Sequence, residues 1–457
     1  MASSSIPLRR LVLAVMGAAL LVGLIPAGAT GEPLPVANPA IEGPIPGSVP
    51  GDRLSPVLED TYPFFSTWYD LASAGYVEQE FYISGNADAY STTGALVGSD
   101  VPYKSRIIVR RPVSPAKFNG TVLVEWQNVT AGYDLDALWS IHAMRAGYAW
   151  VGVSAQRVGV DQLAAWSPTR YGDLDVTGGR QFLTDQMSYD VFSQAAKAIR
   201  SPQGVDPMGG LDVETVLAIG ASQSAGRMTI YYDSILPQIE SVFDGYGFIV
   251  GSAPTRVDDE PVFQVLSETD VRSPSTRPDT DQFRRWEVAG SAHSGWNGRE
   301  YRAPLQLRDL GAVPEYNCAQ PPFSRVPLHH VTAAAYDHLA RWSKGGAPPP
   351  IADRLDFNPD GTKARNELGL ALGGIRLSQV EVPIALNNGD NAGASFCVLF
   401  GTHIPFTDAT LDELYPNHGR YVSAVTAVDN RNVRDGFIVR ADAQENHLEA
   451  ARSDIGK

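Results

Sequence analysis

Val216-Leu217-Ala218-Ile219-Gly220-Ala221-Ser222-Gln223-Ser224-Ala225-Gly226-Arg227-Met228 is the stretch on which the reading of this chain turns. Val216 to Ile219 are continuously apolar, as in a short strand buried on both faces, and Gly220 ends the run. Ser222 comes two residues later, and the small residues Ser224, Ala225 and Gly226 open a helix-like segment. A serine on a sharp strand-to-helix turn needs small neighbours on both sides so that strand and helix can approach closely. The first N–H groups of that helix then favour negative charge beside the serine. Two frames fit. With Ser222 at the centre, Gly220 is in place and Ser224 replaces a second glycine; with Ser224 at the centre, Gly226 is in place and Ser222 replaces the first. Because the strand stops at Gly220, Ser222 falls on the turn itself and is the preferred nucleophile, with Ser224 as the alternative.

Outward from this stretch, short apolar runs alternate with helical patterns. The runs are Ile107 to Val109, Thr121 to Trp126, Tyr148 to Ser154, Val216 to Gly220, Tyr246 to Val250, Val262 to Ser267 and Trp286 to Ala289. Between and after them lie predicted helices over Asp136 to Arg145, Tyr189 to Arg200, Ala225 to Ile235 and Leu328 to Lys344. This is the βαβ alternation of an α/β protein with a mostly parallel central sheet flanked by helices. Gln156 to Gln186 is long for a strand-to-helix connection and follows a strand's carboxyl end, where such sheets build their sites, so it is expected to form pocket walls. No internal repeat interrupts the pattern.

A serine hydroxyl needs a base to take its proton, and a histidine base needs a carboxylate to orient it and stabilise its charged form. On this kind of sheet the order along the chain is Ser, acid, His. Strand Val262 to Ser267 runs into Glu268-Thr269-Asp270, and strand Trp286 to Ala289 runs into Gly290-Ser291-Ala292-His293. Both loops follow strand carboxyl ends, on the same edge as Ser222. His293 is the expected base; Asp270 is the preferred acid because it lies farther into its loop, with Glu268, of equal strand parity, as the alternative. Asp258, Asp259 and Glu260 precede their strand and belong to the opposite edge. The expected oxyanion donors are the backbone N–H of Gln223 and one near Asn128, in the loop Gln127 to Gly132. Asn128-Val129-Thr130 is also a glycosylation sequon. No histidine pair has the H-E-x-x-H spacing and no Cx₂C occurs, so neither a metal nor another cofactor is implied.

The chain has 457 residues, 44% hydrophobic and 19% charged, with a formal net charge of −15. That acidity argues against nucleic acid or an anionic membrane surface as a partner. Arg9 and Arg10, the apolar run Leu11 to Ile25 and Ala27-Gly28-Ala29 have the order of a cleavable export signal, although the Arg pair does not specify the route. Residues 1–29 are therefore expected to be a signal peptide and 30–58 a Pro/Gly-rich arm, with the mature protein secreted and not inserted in a membrane. Its two cysteines, Cys318 and Cys397, then form either a disulfide or two buried thiols.

The chain resembles a family of mostly uncharacterised bacterial alpha/beta hydrolase domain-containing proteins. The likeness rests on Val124-Glu125-Trp126-Gln127-Asn128-Val129, Gly147 to Gln156, the Ser222 turn, Glu268-Thr269-Asp270-Val271 and Gly373-Gly374-Ile375-Arg376-Leu377, and it covers nearly all of the expected mature chain. It implies the α/β-hydrolase fold and a Ser222, Asp270, His293 triad; the residues themselves set the hydrolase domain at 59–457, with a pocket-forming insertion near 156–186 and a C-terminal elaboration after 294. The likeness also favours the Cys318–Cys397 bridge. The departure from glycine at Ser224 further resembles glucuronoyl esterases, which implies saccharide-linked esters. The resulting expectation is a secreted serine esterase acting on a small-molecule or saccharide-linked ester. A serine peptidase, an acyltransferase or lyase, or a non-catalytic binding protein on the same scaffold stand as alternatives.

Overall fold

In the computed structural model, which describes residues 32–457, the apolar runs assemble into a nine-stranded sheet. The expected signal peptide lies outside the described residues. The strands are β1 (Ala40–Glu42), β2 (Tyr76–Tyr90), β3 (Leu96–Pro112), β4 (Thr121–Trp126), β5 (Ala149–Val153), β6 (Thr215–Ala221), β7 (Gly245–Ile249), β8 (Val262–Ser267) and β9 (Phe283–Val288). Their order across the sheet is β1-β2-β3-β5-β4-β6-β7-β8-β9. The pairs β1/β2, β2/β3 and β3/β5 are antiparallel, and every later pair is parallel. The parallel strands therefore end on one edge, where the loops after β6, β8 and β9 gather.

Alternate residues of each central strand enter two different cores, which is why these runs show no polar face. Leu123, Trp150, Leu217, Ile219, Val265 and Trp286 pack into one. Val122, Val124, Val151, Val216, Ala218 and Phe248 pack into the other. On the first side lie α1 (Ile141–Ala146), α2 (Arg157–Trp166), the short α3 (Pro168–Tyr171), α6 (Trp296–Leu310) and α7 (Leu328–Ser343), and on the second lie α4 (Ser188–Arg200) and α5 (Gln223–Ile230). Burying each large apolar side chain contributes about 1.5–3 kcal/mol, so both helical layers are held chiefly by the strands between them.

The apolar pattern picks out only Ile107 to Val109 of the long β2–β3 hairpin and leaves the rest unrevealed. Glu78, Glu80, Arg106 and Arg110 lie inside it and interrupt the run of apolar residues. They are tolerated because they meet each other and nearby charges. Glu80 is shared by Arg106 and Arg170, and Arg110 bridges Glu78 and Asp136 at 2.6 Å each. Stranding one such charge by removing its partner costs about 3–5 kcal/mol. The same network shortens the helix predicted over Asp136 to Arg145. Asp136 is tied to Arg110, and Ala137 and Leu138 donate their N–H groups to Glu125. The helix starts only at Ile141, capped by the Ser140 hydroxyl.

Residues 156–186 contain α2 and α3, and the aromatic side chains Trp166 and Tyr171 are core residues. Asp185 pins the segment by accepting from the Arg157 N–H and the Gln156 amide and by pairing with Arg227 of α5 at 2.9 Å. After α6 the chain wraps the outer strand β9. Ala289 donates to the Ile375 carbonyl at 3.0 Å and Ile375 donates to the Glu287 carbonyl at 2.7 Å. It then passes through α8 (Ser378–Glu381), the two-stranded ladder of β10 (Ala385–Asn388) and β11 (Thr402–Pro405), and the helices α9 (Asp408–Leu414), α10 (His418–Arg434) and α11 (Arg440–Arg452). Cys318 and Cys397 form a disulfide. Among the described residues, no helix is long and apolar enough to cross a membrane.

Candidate active site

Ser222 stands between β6 and α5 with φ 59° and ψ −117°, a conformation that a residue bearing a Cβ adopts only under strain. Two backbone bonds hold it there. Its N–H donates to the Ile249 carbonyl at 2.9 Å, and its carbonyl accepts from the Gly226 N–H at 3.1 Å. A Cβ at Gly220 would lie 2.5 Å from the Met228 sulfur, whereas one at Gly226 would have only the Ser252 hydroxyl within reach, at 3.9 Å. Close packing thus requires glycine before Ser222 and leaves room after it. The Ser222 hydroxyl has no hydrogen-bond partner among the described residues and is partly accessible. Ser224, in the first turn of α5, is fully buried, and its hydroxyl is unpartnered.

The loops after β8 and β9 meet directly. His293 Nδ1 lies 2.7 Å from Asp270 Oδ1. Because a carboxylate only accepts, this contact assigns the proton to Nδ1 and leaves Nε2 free as a base. Asp270 Oδ2 accepts from the Ser267 hydroxyl at 2.5 Å. Between them, the Thr269 hydroxyl donates to the Gly389 carbonyl and accepts from the His293 N–H at 3.2 Å. Glu268 turns the other way. It is fully buried, accepts from the Gly290 N–H at 2.6 Å and pairs with Arg365 at 2.6 Å. Asp270 therefore faces the histidine side chain, while Glu268 anchors the backbone of the loop that carries it. Ser267 and Thr269 were not singled out from sequence; short polar residues at a strand end carry no pattern there, and their adjacency to the acid was the one available signal.

On the other side of Ser222, the Asn128 amide donates to the Ala221 carbonyl at 2.9 Å and its oxygen accepts from the Thr130 N–H at 2.8 Å. The loop after β4 is thereby fastened to the residue preceding Ser222. Asn128 is only 5% exposed, so its amide is not available as a glycan acceptor. Its own N–H points to the Leu135 carbonyl at 3.4 Å, whereas the N–H of Val129 has no backbone acceptor among the described residues. Gln223 opens α5, so its N–H has no partner within the helix.

Glu125, at the end of β4, holds the return of the same loop through Ala137, Leu138 and the Trp150 indole. Burial raises its carboxyl to about 8, helped by the charge of Asp136 and opposed by the N–H donors. The fold therefore holds this proton more tightly than the unfolded chain, for which the ordinary value is 4.5. The resulting stabilisation is complete below that value and is lost as pH rises through about 8. The urea midpoint should fall across this window, and Glu125→Gln, neutral at every pH, should flatten the fall. An unchanged slope in the variant would assign the effect to another group.

The other histidines are placed differently. His142 faces Asp337 at 2.9 Å, His338 the Gly436 carbonyl at 2.9 Å, and His403 the Asn387 amide at 2.9 Å. Among the described residues, His330, Asp442 and Glu445 are near enough together to hold a metal. The Arg145 guanidinium is bonded to both carboxylates and already supplies the positive charge a cation would bring. An open depression lined in part by Asp244, Pro261 and Gln282 lies at the amino ends of β7 to β9, away from Ser222.

A strained serine turn on the carboxyl edge of this sheet, in this strand order, defines an α/β hydrolase. The chain belongs to the alpha/beta hydrolase domain family, whose model matches residues 41–447. No curated protein sequence matches it. Similar solved structures include a prolyl endopeptidase, 12% identical over 52% of this chain and 38% of that one, with a TM-score of 0.28. Esterase Est22 is 11% identical over 43% of this chain and 66% of its own, with a TM-score of 0.25. A CE15 glucuronoyl esterase from Teredinibacter turnerae is 8% identical over 44% and 59%, with a TM-score of 0.26. The match spans less than two thirds of each of these chains, and at such scores none bears on the substrate.

Proposed function

We propose that this hydrolase is a secreted serine esterase that cleaves a carboxylic ester through an acyl-enzyme, with Ser222, His293 and Asp270 as its triad. The observation that carries the reading is the 2.7 Å contact of His293 Nδ1 with Asp270, which leaves Nε2 free on the edge where the Ser222 hydroxyl is also unpartnered. The Ser222 oxygen attacks the ester carbonyl while His293 Nε2 takes its proton. Asp270 holds the ring and balances the charge it gains. The N–H groups of Gln223 and Val129 receive the oxyanion, each worth about 10²- to 10³-fold in turnover. The C–O bond to the alcohol then breaks, and the alcohol leaves with the proton from His293. Water, activated by the same nitrogen, adds to the acyl carbon and releases the acid and free Ser222. The disulfide and the export-like leader support an oxidising, extracytoplasmic location.

The test is to treat the purified protein with a fluorophosphonate probe and to assay it on short-chain p-nitrophenyl esters beside a peptide library. Stoichiometric labelling with ester turnover is expected. Absence of labelling would favour a binding protein, and cleavage confined to peptides would favour a peptidase.

A further inference from the structure

Three arginines surround the segment that carries His293, and none has a carboxylate within ion-pair distance among the described residues. Arg299 and Arg302 are half-buried on α6, and Arg325 lies exposed in the loop before α7. Arg299 sits over the Phe323 ring and Arg325 over the Trp296 ring. Glu300, beside them on α6, is exposed and pairs with none of the three. The fully buried arginines Arg106, Arg110 and Arg170, by contrast, all meet carboxylates. In a chain of net charge −15, carboxylates are plentiful, yet none pairs with these three guanidinium groups.

Arg302 is the best placed of them. One of its nitrogens donates to the Ser294 hydroxyl at 2.6 Å, and Ser294 directly follows His293. One turn farther along α6, the Gln306 amide donates to the Tyr133 hydroxyl at 3.0 Å, and Tyr133 belongs to the loop after β4. Arg302 thus stands where the histidine loop and the oxyanion-side loop approach each other. Burial weakens its hold on its proton, opposed by Tyr133, Tyr316 and the more distant carboxylate of Asp136. A guanidinium has five N–H donors in a planar fork that matches a carboxylate, and among the described residues Arg302 uses only the bond to Ser294, which leaves the rest of the fork open to an anion.

We propose that the natural substrate is an ester that also carries a free carboxylate, and that Arg302 binds this carboxylate beside the Ser222–His293 centre, with Arg299 and Arg325 drawing the anion in. The inference rests on the esterase reading above and adds the substrate class. A charge-assisted fork of this kind raises kcat/KM for the anionic ester by about 10- to 100-fold over a neutral match.

The experiment compares two matched pairs: mono-4-nitrophenyl adipate with its methyl ester, and 4-acetoxybenzoate with its methyl ester. They place the carboxylate on the acyl side and on the alcohol side. At least one pair should favour the anion ten-fold or more in kcat/KM, and the preference should shrink in high salt. Arg302→Gln should drive that ratio toward one, while Arg302→Lys, keeping the charge without the fork, should retain part of it. No preference in either pair, or equal loss on both members of a pair with the ratio intact, overturns the proposal. Fluorophosphonate labelling of the wild-type protein separates the two failures. A protein that labels and hydrolyses the neutral esters without preference loses only the carboxylate proposal, and one that does not label loses the esterase reading as well.

Discussion

Replacing Ser222 by Ala is expected to lower kcat on p-nitrophenyl esters by about 10⁴- to 10⁶-fold and to abolish fluorophosphonate labelling, with the residual rate coming from the oxyanion donors and binding. The backbone at this position keeps its strained dihedrals in the variant, because alanine and serine pay the same Cβ penalty there, so the melting temperature should barely move. Ser224→Ala is the informative partner. Its hydroxyl is buried and unpartnered, and removing such a group is neutral or mildly stabilising. Ser224→Ala should therefore remain active and label normally. Full activity in the Ser222 variant, or its loss in the Ser224 variant alone, would move the nucleophile to the second frame.

The second large effect is expected at Asp270. Asp270→Asn keeps the shape but replaces an acceptor with a group able to donate, which favours the wrong tautomer of His293; kcat should fall by about 10⁴-fold with KM nearly unchanged. Glu268→Gln should behave differently. It weakens the bonds to the Gly290 N–H and to Arg365, but Arg365 retains Asp390 at 2.8 Å. A loss of about 2 kcal/mol in stability is expected, with a much smaller fall in kcat. Thermal melts and steady-state kinetics on the two variants separate a group acting on the imidazole from one that anchors its loop. Equal inactivation by both would sink the distinction.

The α/β architecture was legible because β4 to β8 are buried on both faces, which leaves apolar runs that polar helices cannot imitate, whereas Arg284 and Arg285 hide the start of β9. Of the β2–β3 hairpin only Ile107 to Val109 was legible, for the complementary reason. Glu78, Glu80, Arg106 and Arg110 read as surface charges unless their partners are known, and those partners come from distant segments such as Arg170 and Asp136. The helix predicted from Asp136 failed at its start because Glu125 claims the N–H groups of Ala137 and Leu138, a tertiary demand that local propensity cannot register. At the site, Ser222, Asp270 and His293 could be singled out because each follows an apolar run. The residues around them could not. Ser267 and Thr269 are ordinary by type, and Arg302 becomes notable only when its lack of an ion-paired carboxylate is visible in three dimensions.

The strap across β9 bears on how far this chain can be shortened. A six-residue outer strand with its backbone groups open is a template for pairing with other chains, and Gly373-Gly374-Ile375 occupies that edge. Gly374 adopts φ 66°, and a Cβ there would lie 2.8 Å from the Glu287 carbonyl, so the strap can lie this close only as glycine. A minimal hydrolase cut just after His293 would keep every proposed triad residue and still expose the β9 edge, with self-association and aggregation as the outcome. The last third of the chain therefore serves the central sheet as edge cover, whatever else it does for the substrate.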